Sequence, residues 1–202
     1  MADDERALLE RLRQGDERAF EALVDRHDAA LRRVARTFVR TPSAADEVVQ
    51  ETWLAVVRGI GDFEGRSSLR TWIFRILVNR ARTYATRDAR SLPFSAVEEE
   101  DGPAVEPAAF DADGRWTSAP SRLDFDPHTN LLRTELREHL VRAVDGLAPA
   151  QRAVITLRDL VGLPAEEVCE LLDVTDGNQR VLLHRARARV RSALVALVEV
   201  NR

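Results

Sequence analysis

Residues 162–198 read GLPAEEVCELLDVTDGNQRVLLHRARARVRSALVALV. The first part, Pro164 to Leu172, has the apolar spacing of a short helix. A turn, Asp173 to Gly177, follows it. A longer helix is then expected from about Asn178 to Val198, with Leu183, Ala186, Val190, Leu194 and Leu197 on one face. Two helices joined by a short turn that contains glycine form a helix-turn-helix pattern. Arg180, Arg185, Arg187, Arg189 and Arg191 cover the rest of the second helix, and no acid stands between Asn178 and Arg191. On an isolated helix such a run reads as a solvated face. Behind a short helix and a turn, it lies where a recognition helix meets the major groove of DNA. Gly177, Asn178, Gln179, Arg180 and His184 occupy its leading end. Asn and Gln suit adenine edges and Arg suits guanine. The more distal Arg187 and its neighbours would meet phosphates.

The segment before this pattern is also helical. Leu131 to Val144 reads as one helix closed by Gly146, and Pro149 to Leu160 as another closed by Gly162. The N-terminal part follows the same rule. Leu8, Leu9 and Leu12 form a short apolar face that stops at Gly15. Asp16 is placed to cap a helix carrying Phe20, Leu23, Val24, Leu31, Val34, Ala35 and Phe38. Thr41-Pro42 is expected to break that helix, and Ser43 to cap the next, which bears Val48, Val49, Trp53, Leu54, Val56 and Val57. Gly59 and Gly61 end it. The polar loop from Phe63 to Leu69 leads to a fourth helix with Trp72, Ile73, Ile76, Leu77 and Tyr84. No stretch alternates long enough to argue for a strand. The fold class is therefore all-α, in two helical domains: residues 1–87 and 131–202.

Residues 88–130 differ in kind. They hold five of the eight prolines and the run Glu98 to Asp101. This composition reads as a linker. As a flexible coil of 43 residues it would separate its ends by about 36 Å. The charge is partitioned to match: residues 1–90 carry net +2, residues 91–130 net −7 and residues 131–202 net +1, within an overall −4. All 30 basic residues are arginine.

Composition excludes several classes. One cysteine, Cys169, forbids an internal disulfide and any multi-thiolate zinc site; among Val168, Leu171 and Leu172 it reads as an inert buried thiol. The four histidines are scattered, so no metal site is expected. No apolar run is long enough to span a bilayer, and the acidic N-terminus lacks an export core. A cytoplasmic protein without membrane insertion is the expectation. The sequence holds no GxSxG, HExxH, GxxxxGK[ST] or GxGxxG motif. Neither catalytic residues nor a cofactor or small-molecule substrate is therefore expected.

Two further stretches invite a functional reading. Residues 62–90 hold seven arginines against three acids, interleaved with Phe63, Trp72, Phe74 and Tyr84. Cations beside aromatics suit a single nucleic-acid strand, although Trp72 and Phe74 also suit a core. The loop Gly65-Arg66-Ser67-Ser68 fits either a pocket for an extruded base or an ordinary connection. Asp46, Glu47, Gln50 and Glu51 fit either a solvated helix face or a protein-docking surface.

The segments DEVVQETW, RSSLRTWIFRILVNRAR and LHRARARVR stand in one chain in that order. Together they resemble the sigma-70 family of bacterial RNA polymerase sigma factors, in particular the small extracytoplasmic-function (ECF) type. The resemblance implies an initiation factor that brings core polymerase to promoters and helps melt the minus-10 element. It places Asp46, Glu47, Val49, Gln50, Glu51, Thr52 and Leu54 where the family docks on the clamp helices of the largest polymerase subunit. It places the loop Gly65, Arg66, Ser67, Ser68 and Leu69 where a flipped minus-10 base is captured. Asn79, Arg80, Arg82 and Thr83 fall on the helix that holds the non-template strand, with Trp72 on the same helix. Arg180, Val181, His184 and Arg185 fall where the family meets the minus-35 element. The flap of the second-largest subunit and an anti-sigma factor are further implied partners. The acidic linker matches in place a segment that threads through a basic polymerase channel.

The family often shows Gly-Thr-Val-Lys-Ser-Arg where this chain has Gly177-Asn178-Gln179-Arg180-Val181-Leu182, and often has glycine where this chain has Asp173. Two competing readings use fewer residues. A stand-alone helix-turn-helix regulator explains only residues 149–198. A polymerase-binding adaptor leaves the arginines of the last helix without a task.

Overall fold

A computed structural model describes residues 2–87 and 130–200 of the chain. The segment read as a linker lies outside the described residues, apart from Asn130. Every regular element among the described residues is helical. The first module comprises α1 (Ala2–Arg13), α2 (Glu17–Ala35), α3 (Pro42–Gly59), a 3-10 turn (Ile60–Asp62) and α4 (Leu69–Arg87). The second comprises α5 (Asn130–Asp145), α6 (Pro149–Ile155), a π-helical turn (Thr156–Leu160), α7 (Ala165–Leu172) and α8 (Asp176–Val200).

The apolar periods drive these helices together. Leu23, Leu31, Val34 and Ala35 of α2 are buried against α3 and α4. From α4, Leu69, Ile73, Phe74, Leu77, Val78 and Ala81 are buried; from α3, Val48, Val49 and Val56. Each large apolar side chain taken fully out of water contributes roughly 1.5–3 kcal/mol, so this seam between α3 and α4 is a principal source of stability. In the second module α8 packs on α5 and α6 through Leu183, Ala186 and Val190. The two cores form one continuous apolar cluster.

The local signals are mostly where the sequence puts them. Asp16 caps α2 by accepting from the Ala19 N–H at 3.1 Å. The bonded Arg11 guanidinium holds its carboxyl below the ordinary carboxylate range. One expectation is corrected at Thr41-Pro42. The dipeptide does not break α2, which has already ended at Ala35; it starts α3. Thr41 Oγ1 accepts from the Ala44 N–H at 3.1 Å, and Pro42 takes the first helical position. Proline is at home there because the first turn has no use for its missing N–H. Ser43 is therefore an ordinary first-turn residue and not the cap. A second correction concerns Pro149 to Leu160, whose last five residues wind as a π-helical turn. There the Val161 N–H reaches back to the Thr156 carbonyl. Asp173, at the position where the family often has glycine, adopts the left-handed conformation that ends α7, at φ 57°.

The capping assignment is testable. Thr41→Ala should cost about 1 kcal/mol of stability, whereas Ser43→Ala should stay within about 0.5 kcal/mol of the parent. Urea unfolding followed by circular dichroism distinguishes the two, and equal losses would contradict the assignment.

Candidate functional site

The α3–α4 seam sets where the polar residues of the first module point. Glu47, Gln50, Glu51 and Leu54 are exposed along one side of α3, spaced by helical turns. Leu54 is 55% and Val57 is 53% exposed. Val57, which the sequence marks only as one of the apolar positions of this helix, extends the strip by one turn; its spacing of three residues from Leu54 is the signal that places it there. Asp46 is half-buried and ion-paired with Arg32 of α2. Arg32 also donates to Asp28 at 2.6 Å. Val49 and Thr52 do not lie on this strip. Both are buried, and the Thr52 hydroxyl donates to the Val48 carbonyl at 2.7 Å. The periodicity that makes α3 amphipathic turns these two positions into the core.

Between α3 and α4 runs a groove of about 840 Å³, lined among others by Glu47, Glu51, Asn79, Arg80, Thr83 and Tyr84. Arg80 crosses it to Glu51 at 2.9 Å. Two sets of residues expected to meet different partners therefore share one groove.

The loop before α4 is built on backbone geometry. Gly65 has φ +71°, which suits a residue without Cβ. Arg66 is exposed and pairs with Glu64 at 3.0 Å. The Ser68 hydroxyl accepts from the Thr71 N–H at 3.1 Å, capping α4; Ser67 beside it is half-buried. Leu69 is buried and anchors the loop, its N–H donating to Glu5 of α1 at 2.7 Å. Trp72 is half-buried, its ring centroid 5.0 Å from that of Phe63. Phe74 is wholly core. Asn79 and Thr83 are exposed one turn apart. Arg82 is half-buried and donates to the Leu172 carbonyl at 2.5 Å.

In the second module, α7 and α8 form the helix-turn-helix. Gly177, Arg180, Val181 and Arg187 are exposed; Asn178, His184 and Arg185 are half-buried. The Asn178 N–H donates to the Thr175 hydroxyl at 3.2 Å, tying the turn to the start of α8. Arg180 pairs with Asp176 at 2.6 Å, and Arg187 makes a two-pronged bond to Asp159 at 2.9 and 2.7 Å. Gln179 departs from its expected place: only 1% exposed, it faces the interior of the motif, and its Nε2 has no partner. Burial holds the His184 imidazole below the usual histidine range, with Arg185 and Arg187 adding to the effect. Burial, Arg26 and Arg70 lower His27 likewise. Cys169 is half-buried and burial raises its thiol. No helix of the described residues is long and apolar enough to cross a membrane.

Comparison with known proteins assigns the arrangement. Residues 23–91 match the family Sigma-70 region 2, and residues 137–190 match Sigma-70 region 4. The chain belongs to the sigma-70 family of RNA polymerase sigma factors. It is an initiation factor of the ECF type. It is 31% identical over 194 residues to the ECF RNA polymerase sigma-E factor of Escherichia coli strain K12, across 96% of each chain. It is 32% identical over 197 residues to the protein of that name from Haemophilus influenzae, across 96% of this chain and 97% of the relative. The solved structure of CnrH in complex with the cytosolic domain of CnrY superposes with a TM-score of 0.56 at 25% identity, over 95% of this chain and 97% of that one. The fold is shared with the sigma factor RpoE of Bartonella quintana, solved with the anti-sigma factor NepR, at TM-score 0.54 and 20% identity.

Two outcomes follow from the second module. Gln179→Leu removes an unpartnered buried amide, which costs about 1–3 kcal/mol when left unbonded. It should raise the melting temperature by several degrees and leave promoter recognition unchanged; a loss of recognition with a normal melting curve would restore Gln179 to the DNA face. The two depressed histidines stabilise the fold fully above their unfolded pKa of about 6.5, and that contribution is lost as pH falls through their lower folded values. The wild type should therefore lose stability as pH drops from 7 toward 5. His27→Gln/His184→Gln should show a flatter dependence by thermal melting, and an unchanged slope would refute the assignment.

Proposed function

We propose that the exposed strip of α3 (Asp46, Glu47, Gln50, Glu51, Leu54 and Val57) docks on the clamp helices of the largest polymerase subunit. Val49 and Thr52 would support it from beneath. The observation that carries this reading is the pair of exposed apolar residues, Leu54 and Val57, in line with carboxylates on one helix face. Apolar side chains at successive turns of a polar helix mark a partner surface.

The adjoining groove and loop supply the strand contacts. Gly65 to Ser68 would frame a flipped minus-10 base, with Leu69 holding the loop in place. Trp72 would offer its open edge for stacking, and Asn79, Arg80, Arg82 and Thr83 would grip the non-template strand. Extruding a base costs a few kcal/mol, and stacking returns about 1–3 kcal/mol per base, so capture of one or two bases tips local melting. In α8, Gly177, Asn178, Arg180, Val181, His184 and Arg185 would enter the major groove at the minus-35 element. Exposed Val181 suits a thymine methyl group, and Arg187 a phosphate. Core RNA polymerase and promoter DNA are thus the partners. The flap of the second-largest subunit would hold the second module. An anti-sigma factor is a further partner, on the likeness to CnrH bound to CnrY. The protein would work in the cytoplasm, without catalytic residues or cofactor.

Run-off transcription with purified core polymerase on genomic DNA tests this reading, and start sites that depend on the protein are the expected result. Arg180→Ala/Arg185→Ala should lower synthesis from those starts roughly tenfold or more, given about 1–3 kcal/mol for each good base contact, while core polymerase is still captured. Leu54→Asp should instead lose core capture. Unchanged synthesis with both variants would refute the assignments.

A further inference from the structure

The loop from Phe63 to Leu69 is held at both ends by a single helix. At its entrance the Arg13 guanidinium of α1 donates to the Phe63 carbonyl at 2.7 Å. At its exit Glu5 of the same helix accepts from the Leu69 N–H at 2.7 Å. Helical rise sets these two residues about 12 Å apart along the axis of α1. The helix is itself pinned to the module. Leu12 is buried, and Leu8 and Leu9 pack against the core. Arg11 pairs at 2.8 Å with Asp16, the cap of α2. α1 also packs on α2 and on the 3-10 turn that opens into the loop.

Between these anchors the loop has few ties of its own. Among the described residues, no backbone N–H or carbonyl from Glu64 to Ser67 is hydrogen-bonded to another element. Arg66 pairs with Glu64 inside the loop, and the Ser67 hydroxyl donates only to the neighbouring Ser68 carbonyl at 3.4 Å. Phe63 and Leu69 are buried, which fixes where the loop starts and stops. Burial of a side chain leaves its peptide free to turn, whereas a hydrogen bond is directional. The bonds from α1 therefore fix the orientation of the two end peptides as well as their separation.

We infer that α1 sets the aperture of this loop, with Glu5 and Arg13 as positioning residues for discrimination at the flipped minus-10 base. The inference rests on the base-capturing role proposed for the loop. Neither side chain touches the base; each acts through the backbone it holds. With both ends fixed, Glu64 to Ser67 present their backbone groups in one arrangement, which suits the edge of one base. A site that is ordered beforehand also loses less of its contact energy to ordering when the base arrives. Releasing the ends lets the loop adjust to other bases. Choice between bases is then lost, while phosphate contacts made elsewhere persist.

The test uses the full chain with core polymerase on a promoter found by start-site mapping, with each of the four bases placed in turn at each minus-10 position. The position read by the loop is the one whose base preference Arg66→Ala/Ser67→Ala flattens. There, Glu5→Ala/Arg13→Ala should cut the ratio of synthesis between preferred and disfavoured bases by about tenfold, the scale of one good base contact. Ratios at the other minus-10 positions should stay within about twofold. Glu5 and Arg13 are both exposed, so the core survives their loss and core polymerase should still be captured. Glu5→Ala alone frees only the exit and should give part of the same effect. Glu5→Gln/Arg13→Lys keeps an acceptor and a donor and should retain most of the wild-type ratio. Arg6→Ala/Glu10→Ala removes the same pair of charges from exposed positions of α1 and should leave the ratio unchanged. An undiminished ratio in both alanine variants of the clamp, an equal fall at every minus-10 position, or an equal fall in the Arg6/Glu10 control would overturn the inference. If Arg66→Ala/Ser67→Ala flattens no position, the base-capturing reading itself fails and the inference fails with it.

Discussion

The apolar seam between α3 and α4 governs the rest of the first module. Ile73, Phe74, Leu77, Val78 and Ala81 are so completely buried that α4 has one orientation available to it. Val48, Val49 and Val56 fix α3 in the same way. Once these faces are spent on each other, the remaining faces have no choice. Glu47, Gln50, Glu51, Leu54 and Val57 must look outward on one side, and Asn79, Arg80 and Thr83 must line the groove beside them. The strip proposed to dock on polymerase and the strip proposed to hold the strand are thereby made rigid neighbours. Because close-packed cores transmit small shifts, force on one strip is felt at the other.

Sequence periodicity captured much of this because it is a local property of amphipathic helices. It placed the helices, the Asp16 cap and the apolar face of α8. It went astray where a local signal has two meanings. Thr41-Pro42 reads as a stop, but proline at the first helical position is also a start. Periodicity did set Val49 on the apolar face; its docking role, like that of Thr52, came from the family resemblance, which marks a stretch of helix and not which side of it a residue occupies. Gln179 is polar by type and interior by position. Only the packing of α8 on the rest of the motif reveals it. The contact between α4 and α7 has no local signature at all, since it joins residues about 90 positions apart.

The arginines of α8 add a second constraint. A run of five without an acid among them looks like free positive charge, yet Arg180 is paired with Asp176 and Arg187 with Asp159. Such exposed pairs are worth little, from about zero to 1 kcal/mol. They orient the side chains without holding them firmly, and salt weakens them further.

Weak internal pairing bears directly on selectivity. A bare arginine helix would bind any polyanion by counterion release, which carries no sequence information. Where a guanidinium already has a carboxylate, as Arg180 and Arg187 do, a phosphate merely replaces one anion by another, and the gain is small. A methyl group against exposed Val181 would add something no internal carboxylate supplies. Pairing therefore lowers the background more than it lowers the specific contact. On the DNA-reading role proposed for α8, the Asp159 carboxylate on the π-helical turn and the Asp176 carboxylate at the start of α8 would widen the margin between right and wrong DNA, although both would weaken binding taken by itself.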